Sequence, residues 1–338
     1  MHLGLQSPKK TPKNRLTMYP SRPTIFSTLF LTFCLLAVFI YQTKINEARE
    51  NKRQILESQL ENSKKEIFDN LGLRAQAFVI KDIDSSEIIY EYGMYRKMPL
   101  ASLTKLMTAY VSQKYAPSSF KVEINEQDLK AVGDAKLYPG DTWNLNDIVS
   151  FAMVNSSNDA IESIDRNLSA YFGGNNKFVE KMNEEAMLLG LYSMEFFNAT
   201  GLDVSQNTNG GYGSANDVAS LTMHVFNEYP HVLKDTISSR AKFISLSNKE
   251  YESINTNTYI DSLSPIIASK TGYTNITGGN LVIIKEIQGK KFVFVVMGYD
   301  FGTNTLNAWF NPDLSNFSAS TPASLTVTPT TALTEMGG

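Results

Sequence analysis

The chain has 338 residues, 42% hydrophobic and 19% charged, enough apolar material for a sizeable core; this excludes a fully disordered or fibrous protein and allows about one to three domains. A single cysteine, Cys34, rules out an internal disulfide, and three histidines (His2, His224, His231) without a Cys or His cluster leave little for a zinc or iron site. The formal net charge is −3, and removing the five unopposed basic residues of positions 1–23 leaves −8 on the rest, a mildly acidic body with no electrostatic footprint for nucleic acid.

Those five residues, Lys9, Lys10, Lys13, Arg15 and Arg22, make positions 1–23 a basic tail. No charge then appears for 21 residues, and fourteen of the eighteen from Thr24 to Tyr41 are apolar. As a helix rising about 1.5 Å per residue, this stretch approaches the roughly 30 Å of bilayer hydrocarbon, which predicts a transmembrane anchor over 24–41. The competing reading is a cleaved secretory signal, but the segment is long for a signal core and no A-x-A-like site follows it. Basic residues follow the helix (Lys44, Arg49, Lys52, Arg53) nearly as densely as they precede it. Only the absence of acids in the first flank turns the N-terminus towards the cytoplasm.

Residues 42–73 are charge-dense, with Leu56, Leu60, Ile67 and Leu71 at mixed three- and four-residue spacing, and read as a helical stalk. Self-association of that stalk stays open, because the stripe breaks at Ser63. At the far end, 17 of the 26 residues 313–338 are Ser, Thr, Ala, Pro or Gly, the composition of a disordered tail.

The folded body is therefore expected over 74–312. It opens with two strands, Ala75 to Ile83 and Glu87 to Tyr92, across the turn-prone Asp84-Ser85-Ser86. It closes with three more, around Ile266 to Thr271, Asn280 to Ile287 and Lys291 to Gly298, the last two joined across Gln288-Gly289-Lys290. The intervening sequence is mostly helical in pattern, as in Leu103 to Tyr115 and Asp217 to Glu228. Strands at both ends with helices between predict an α+β fold: a five-stranded, mainly antiparallel sheet whose terminal strands pair, packed between helices with a helical insertion.

Three short motifs occur in order: Ser102-Leu103-Thr104-Lys105, Ser156-Ser157-Asn158 and Lys270-Thr271-Gly272. S-x-x-K and S-x-N each recur elsewhere in the chain, and only K-T-G is unique. Ser102 and Lys105 sit three apart at a helix start and so share a face. A serine hydroxyl needs a base to become a nucleophile, and a lysine can serve if burial lowers its pKa, for which Leu100, Leu103, Leu106 and Met107 supply an apolar setting. The plainer alternative makes Ser102 a helix cap and Lys105 a solvated lysine. Ser214 to Asp217 reads as a capping box. His224 and His231 read as structural, and Gly210, Gly211 and Gly213 as loop glycines without the lysine of a phosphate cradle.

The run PLASLTKLMTAYV (Pro99 to Val111) resembles the active-site helix of serine-type D-alanyl-D-alanine carboxypeptidases, the low-molecular-mass penicillin-binding proteins. The likeness continues through VNSSNDA (Val154 to Ala160), FNATGLD (Phe197 to Asp203), YGSANDVA (Tyr212 to Ala219) and SKTGYT (Ser269 to Thr274), covering about 74–300. The resemblance implies that Ser102 is the nucleophile, Lys105 its base and Ser156 the proton relay to departing D-alanine. It implies that Asn158 binds the substrate's peptide backbone, that Lys270 and Thr271 fix its terminal carboxylate, and that Gly272 leaves room beside that strand. The backbone N–H groups of Ser102 and Tyr273 would form the oxyanion hole. The implied partners are the peptidoglycan stem peptide as substrate, β-lactam antibiotics as covalent inhibitors and a lipid bilayer through 24–41; no cofactor, metal or nucleic acid is implied. A fixed cation suits a substrate ending in a free carboxylate, and an extended peptide can add to the sheet edge beside it.

The resulting expectation is a membrane-anchored D,D-carboxypeptidase on the outer face of a bacterial cytoplasmic membrane, with 74–312 as its catalytic domain. A D,D-endopeptidase using the same site is a close variant. A β-lactamase is another alternative, with Glu195 and Asn198 in E-x-x-N spacing, although the second motif is Ser-Ser-Asn where class A β-lactamases have Ser-Asp-Asn. A non-catalytic penicillin or muropeptide sensor is the third. Many relatives carry a β-rich domain after the catalytic one, where this sequence is expected to have only the low-complexity tail, and many have glycine where it has Ser157.

Overall fold

In the computed structural model, residues 22–70, 75–133, 135–263 and 265–299 are described, so the predicted tail at 313–338 and nearly all of the basic tail, 1–21, lie outside the described residues. The chain divides into two units after Asn62. The first is dominated by α1 (Arg22–Asn70), which contains Leu29–Ile55, a stretch long and apolar enough to cross a membrane. Its large apolar side chains, among them Phe30, Phe33 and Phe39, are exposed, as a lipid-facing helix requires. The helix runs unbroken from the predicted anchor into the predicted stalk, and the stripe of Leu56, Leu60, Ile67 and Leu71 lies outside the side chains described.

The second unit contains, in chain order, β1 (Ala77–Asp82), β2 (Ile88–Tyr92), β3 (Met98–Pro99), a 3-10 turn at Ala101–Thr104, α2 (Lys105–Tyr115), β4 (Lys121–Glu123), β5 (Thr142–Asn144), α3 (Leu145–Asn155), α4 (Asn158–Tyr171) and α5 (Lys177–Leu188). After these come β6 (Glu195–Phe196), β7 (Gly211–Gly213), α6 (Ala215–Glu228), β8 (Arg240–Ile244), β9 (Glu250–Ile254), α7 (Ile260–Leu263), β10 (Ala268–Thr274), β11 (Gly278–Ile287) and β12 (Lys290–Tyr299). The main sheet has the order β10-β11-β12-β1-β2 and is antiparallel throughout. The terminal strands pair as expected, Ala77 opposite Met297 and Asp82 opposite Phe292.

Side chains alternate across this sheet and feed two cores. Ala77, Val79, Val282, Ile284, Val293, Val295 and Met297 join a core with α2, α3 and α6. Phe78, Ile80, Leu281, Ile283, Phe294 and Val296 pack on the other face with Ile260 and Leu263 of α7. Burial on both faces explains why β11 and β12 read as nearly continuous apolar runs.

The middle is mostly helical as expected, in α2 to α6, with short strands added to it. A β8–β9 hairpin stands there, with Phe243 opposite Tyr251, and two small sheets join β3, β7 and β6 and pair β4 with β5. The hairpin's signal is the period-two alternation of RAKFI and EYESI, which places Phe243, Tyr251 and Ser253 inward.

α2 occupies the centre of the helical layer, touching α3, α4, α5 and α6. Every residue from Lys105 to Ser112 is buried, the signature of a helix surrounded on all sides. That position is what puts a lysine, the first residue of the helix, out of water.

Candidate active site

The segment entering α2 is held from two directions. The Leu100 N–H donates to the Gly211 carbonyl at 2.9 Å, while the buried Asn280 amide on β11 donates to the carbonyls of Pro99 and Leu100, each at 3.0 Å. Between these clamps and the turn, Ala101 takes φ +48°, a left-handed conformation costing a non-glycine residue of order 1 kcal/mol. Ser102 follows on the 3-10 turn rather than capping a regular α-helix.

Lys105 is fully buried, and its ammonium nitrogen contacts Ser102 Oγ at 2.9 Å, Asn158 Oδ1 at 2.7 Å and the Thr200 carbonyl at 2.7 Å. The Asn158 Nδ2 donates to the Val132 carbonyl at 2.6 Å, which fixes the amide's orientation with its oxygen towards Lys105. Two N–H bonds are therefore committed to pure acceptors, and the third direction points at Ser102. Burial first, and then the nearby positive charge of Lys270, lower the Lys105 pKa well below an ordinary lysine's, with Glu162 opposing. A neutral Lys105 presents its lone pair to the serine hydroxyl, the geometry of a base beside a nucleophile.

The second motif is the joint between two helices. Ser156 ends α3 at φ +60°, ψ +31°, Ser157 caps α4 by accepting from the Ala160 N–H at 3.0 Å, and Asn158 is the first residue of α4. The left-handed turn at Ser156 directs its hydroxyl to Lys270, whose Nζ lies 2.8 Å away and also donates to the Thr271 carbonyl at 2.7 Å. Lys270 is almost completely buried, and burial pulls its pKa down to about 7.

The third motif lies on β10, an edge strand of the main sheet. A Cβ on Gly272 would stand 2.9 Å from the Leu100 carbonyl oxygen and 3.1 Å and 3.2 Å from the nitrogens of Ser102 and Leu103. The strand thus passes in direct contact with the Ser102 turn, bringing Tyr273 to the same junction. Gly272→Ala is expected to push β10 off the turn and to lower Ser102 acylation by about 10²-fold, since roughly 1 Å of displacement at a reacting centre costs that much. Stopped-flow labelling with a fluorescent penicillin measures it, and a wild-type rate would contradict the packing argument.

Lys270 also leaves a mark on stability. An unfolded lysine keeps its proton to about pH 10.4, whereas folded Lys270 releases it at about 7. Between those values the unfolded chain binds the additional proton, so stability rises with pH. The wild type is expected to gain Tm relative to Lys270→Met from pH 7 to 9.5; a constant difference between the two would mean that the pKa is not depressed.

The eight residues singled out from the sequence, Ser102, Lys105, Ser156, Asn158, Lys270, Thr271, Gly272 and Tyr273, are brought to one junction of α2, the α3–α4 joint and β10. Both ends of the Asn158 amide are engaged within the protein, on Lys105 and Val132. Other contributors carried no motif of their own. Thr256 Oγ1 sits 2.5 Å from Thr271 Oγ1. The FNATGLD run shapes the loop that offers Thr200 to Lys105: Asn198 accepts from the Gly201 N–H at 2.7 Å, and Gly201, at φ +79°, has no room for a Cβ against the Ala101 carbonyl. By contrast, Glu195 forms an exposed ion pair with Lys97 at 2.7 Å, and Asn198 is spent on its own loop, so the E-x-x-N spacing assembles no carboxylate–amide pair. His224 pairs with Glu228 and His231 with Gln113, each at 3.0 Å. Ser214 caps α6 by accepting from the Asp217 N–H.

This arrangement has known counterparts. Residues 63–300 match the D-alanyl-D-alanine carboxypeptidase family. A D-alanyl-D-alanine endopeptidase of Haemophilus influenzae is 28% identical over 240 residues, 70% of this chain and 77% of that protein. The D-alanyl-D-alanine carboxypeptidase DacF of Bacillus subtilis is 26% identical over 211 residues, 60% of this chain, which spans only about half (52%) of DacF's length. Among solved structures, penicillin-binding protein D2 of Listeria monocytogenes in its ampicillin-bound form superposes with a TM-score of 0.57 at 25% identity, covering 70% of this chain and 92% of that one. With more than two thirds of its length matched, and a serine 2.9 Å from a buried lysine at the junction of three motifs, the chain belongs to the D-alanyl-D-alanine carboxypeptidase family of serine-type hydrolases.

Proposed function

We propose that the protein is a membrane-anchored serine D,D-carboxypeptidase that removes the terminal D-alanine from peptidoglycan stem pentapeptides. The observation that carries this reading is the 2.9 Å contact from a fully buried Lys105 to Ser102, with the lysine's other bonds committed elsewhere. Neutral Lys105 takes the Ser102 proton as Oγ bonds to the penultimate D-alanine carbonyl carbon. The developing oxyanion rests on the N–H groups of Ser102 and Tyr273. The C–N bond then breaks, a proton passing through Ser156 to the amine of the departing D-alanine. Water cleaves the ester, returning the hydroxyl to Ser102. Lys270, whose protonated form the substrate's terminal carboxylate favours, and Thr271 hold that carboxylate, with Thr256 beside them. Asn158 acts through Lys105, and its contact with substrate requires release from Val132.

The domain limits follow the same reading: a cytoplasmic tail over 1–23, an anchor over 24–41, a stalk over 42–73, a catalytic domain over 74–312 with its site outside the bacterial cytoplasmic membrane, and a tail over 313–338. α1 is a candidate membrane anchor. β-Lactams, whose ring carbonyl imitates the scissile bond, are expected to acylate Ser102.

The test is D-alanine release by the detergent-solubilised full chain from an acylated L-lysyl-D-alanyl-D-alanine peptide. An endopeptidase reading is favoured by the Haemophilus relative, whose length the chain covers more fully than that of DacF. A crosslinked muropeptide dimer offered in parallel separates the two: faster dimer cleavage than D-alanine release assigns the endopeptidase, and release without dimer cleavage assigns the carboxypeptidase.

A further inference from the structure

The two backbone donors of the oxyanion pocket come from different parts of the chain, Ser102 from the turn before α2 and Tyr273 from β10, and something must fix the distance between them. The buried side chain of Asn209, in the loop before β7, reaches both. Its Oδ1 accepts from the N–H of Ala101 at 3.3 Å and from that of Gly211 at 3.2 Å. Its Nδ2 donates to Asp203 Oδ1 at 2.5 Å, to Thr277 Oγ1 at 3.3 Å and to Thr274 Oγ1 at 3.4 Å. Ala101 immediately precedes Ser102, and Thr274 immediately follows Tyr273. The two threonine hydroxyls are themselves 2.9 Å apart, and Thr274 Oγ1 accepts from the Thr277 N–H at 3.2 Å, so the turn that ends β10 is closed on the same group. Asn209 is anchored in turn by its own N–H, which donates to the Tyr212 hydroxyl at 3.0 Å.

We propose that Asn209 is a positioning residue for the oxyanion pocket: one amide bridges the residues flanking its two donors and sets their separation. The proposal rests on the reading of Ser102 and Tyr273 as those donors. Two features give the bridge a purpose beyond stability. Ala101 is held at φ +48°, a conformation that its own side chain disfavours and that surrounding bonds must impose. Preorganised donors also act on charge that exists only in the transition state, so loosening the bridge lowers kcat while ground-state binding through Lys270 and Thr271 persists.

The informative variant is Asn209→Asp. It keeps the acceptor for Ala101 and Gly211 but sets a second carboxylate against Asp203, opening the bridge from the β10 side. kcat for D-alanine release and the penicillin acylation rate are expected to fall by about 10- to 100-fold, the range for a displaced rather than deleted oxyanion donor, with KM changed by less than about threefold. The exchange Asn209→Asp with Asp203→Asn restores a donor facing an acceptor and is expected to recover most of the lost rate. Asp141→Asn serves as the stability control, because it weakens the buried Asp141 contacts to Ser245 and Tyr251 that join the β8–β9 hairpin to β5. A wild-type kcat in folded Asn209→Asp overturns the proposal. So does an equal kcat loss in Asp141→Asn at matched Tm, which would mark the effect as general destabilisation. If Asn209→Asp does not fold, Thr277→Val cuts the bridge at the β10 turn alone and is expected to lower kcat about 3- to 10-fold, with an unchanged kcat again overturning the proposal. A wild-type chain that penicillin does not acylate would instead remove the underlying reading of Ser102, an outcome visible before any Asn209 variant is made.

Discussion

Ser102→Ala is expected to lower D-alanine release by at least about 10⁴-fold, the scale on which serine hydrolases lose rate when their nucleophile is removed. The loss is chemical rather than structural. Ser102 sits on a turn held by Asn280 and the Gly211 carbonyl, contacts that do not use its hydroxyl, and Lys105 keeps Asn158 and Thr200. Covalent labelling by fluorescent penicillin should vanish while the variant still binds the peptide non-covalently, because Lys270 and Thr271 are untouched. Release at the wild-type rate, or covalent labelling of the Ser102→Ala variant, would move the nucleophile elsewhere.

The second large effect is expected from Lys105→Met, which keeps an unbranched side chain of similar length and removes only the base. Acylation should fall by about 10⁴-fold or more, comparable with losing the nucleophile, because groups that act as a unit lose rate together. Ser102→Ala combined with Lys105→Met should therefore be little worse than either alone. The Tm separates this from misfolding. Removing a buried polar amine relieves its desolvation, while leaving Asn158 Oδ1 and the Thr200 carbonyl without a donor costs about 1–3 kcal/mol each, so the terms oppose and a cooperative melt should remain. Lys105→Met that retains a tenth of wild-type acylation would rule the lysine out as the base.

Much of this architecture is legible in the chain. The sheet strands 77–82, 278–287 and 290–299 fall within a few residues of the runs identified by their apolar content, because strands buried on both faces must be apolar along their length, while the half-buried edge strand 88–92 is placed by the turn residues before it. The β8–β9 hairpin escapes such a reading because its alternation is short and most of its exposed positions, Arg240, Lys242, Glu250 and Glu252, are charged, so it resembles a helical surface in composition. The 3-10 turn at Ala101–Thr104 reads as the first turn of a regular helix, since nothing in Ala-Ser-Leu-Thr signals a left-handed alanine. Only bonds from distant strands hold it there.

Residue order suffices to fix which residues form the three motifs, the α+β succession of strands and helices, the apolar segment within α1 and the membership of the family. These are local or compositional properties: residue spacing, periodicity and an unbroken apolar run are written along the chain. It takes the closed fold to remove water from Lys105, because its burial comes from α3, α4, α5 and α6 surrounding α2, and to bring Lys270 to Ser156 across 114 residues of sequence. The same closure turns Asn158 towards Lys105, stands Thr256 beside Thr271, and lets Asn209 tie the turn before α2 to the end of β10. A lysine's basicity depends on the dielectric and charges around it, and an oxyanion pocket on the distance between its two donors. Neither quantity exists until the chain has closed on itself.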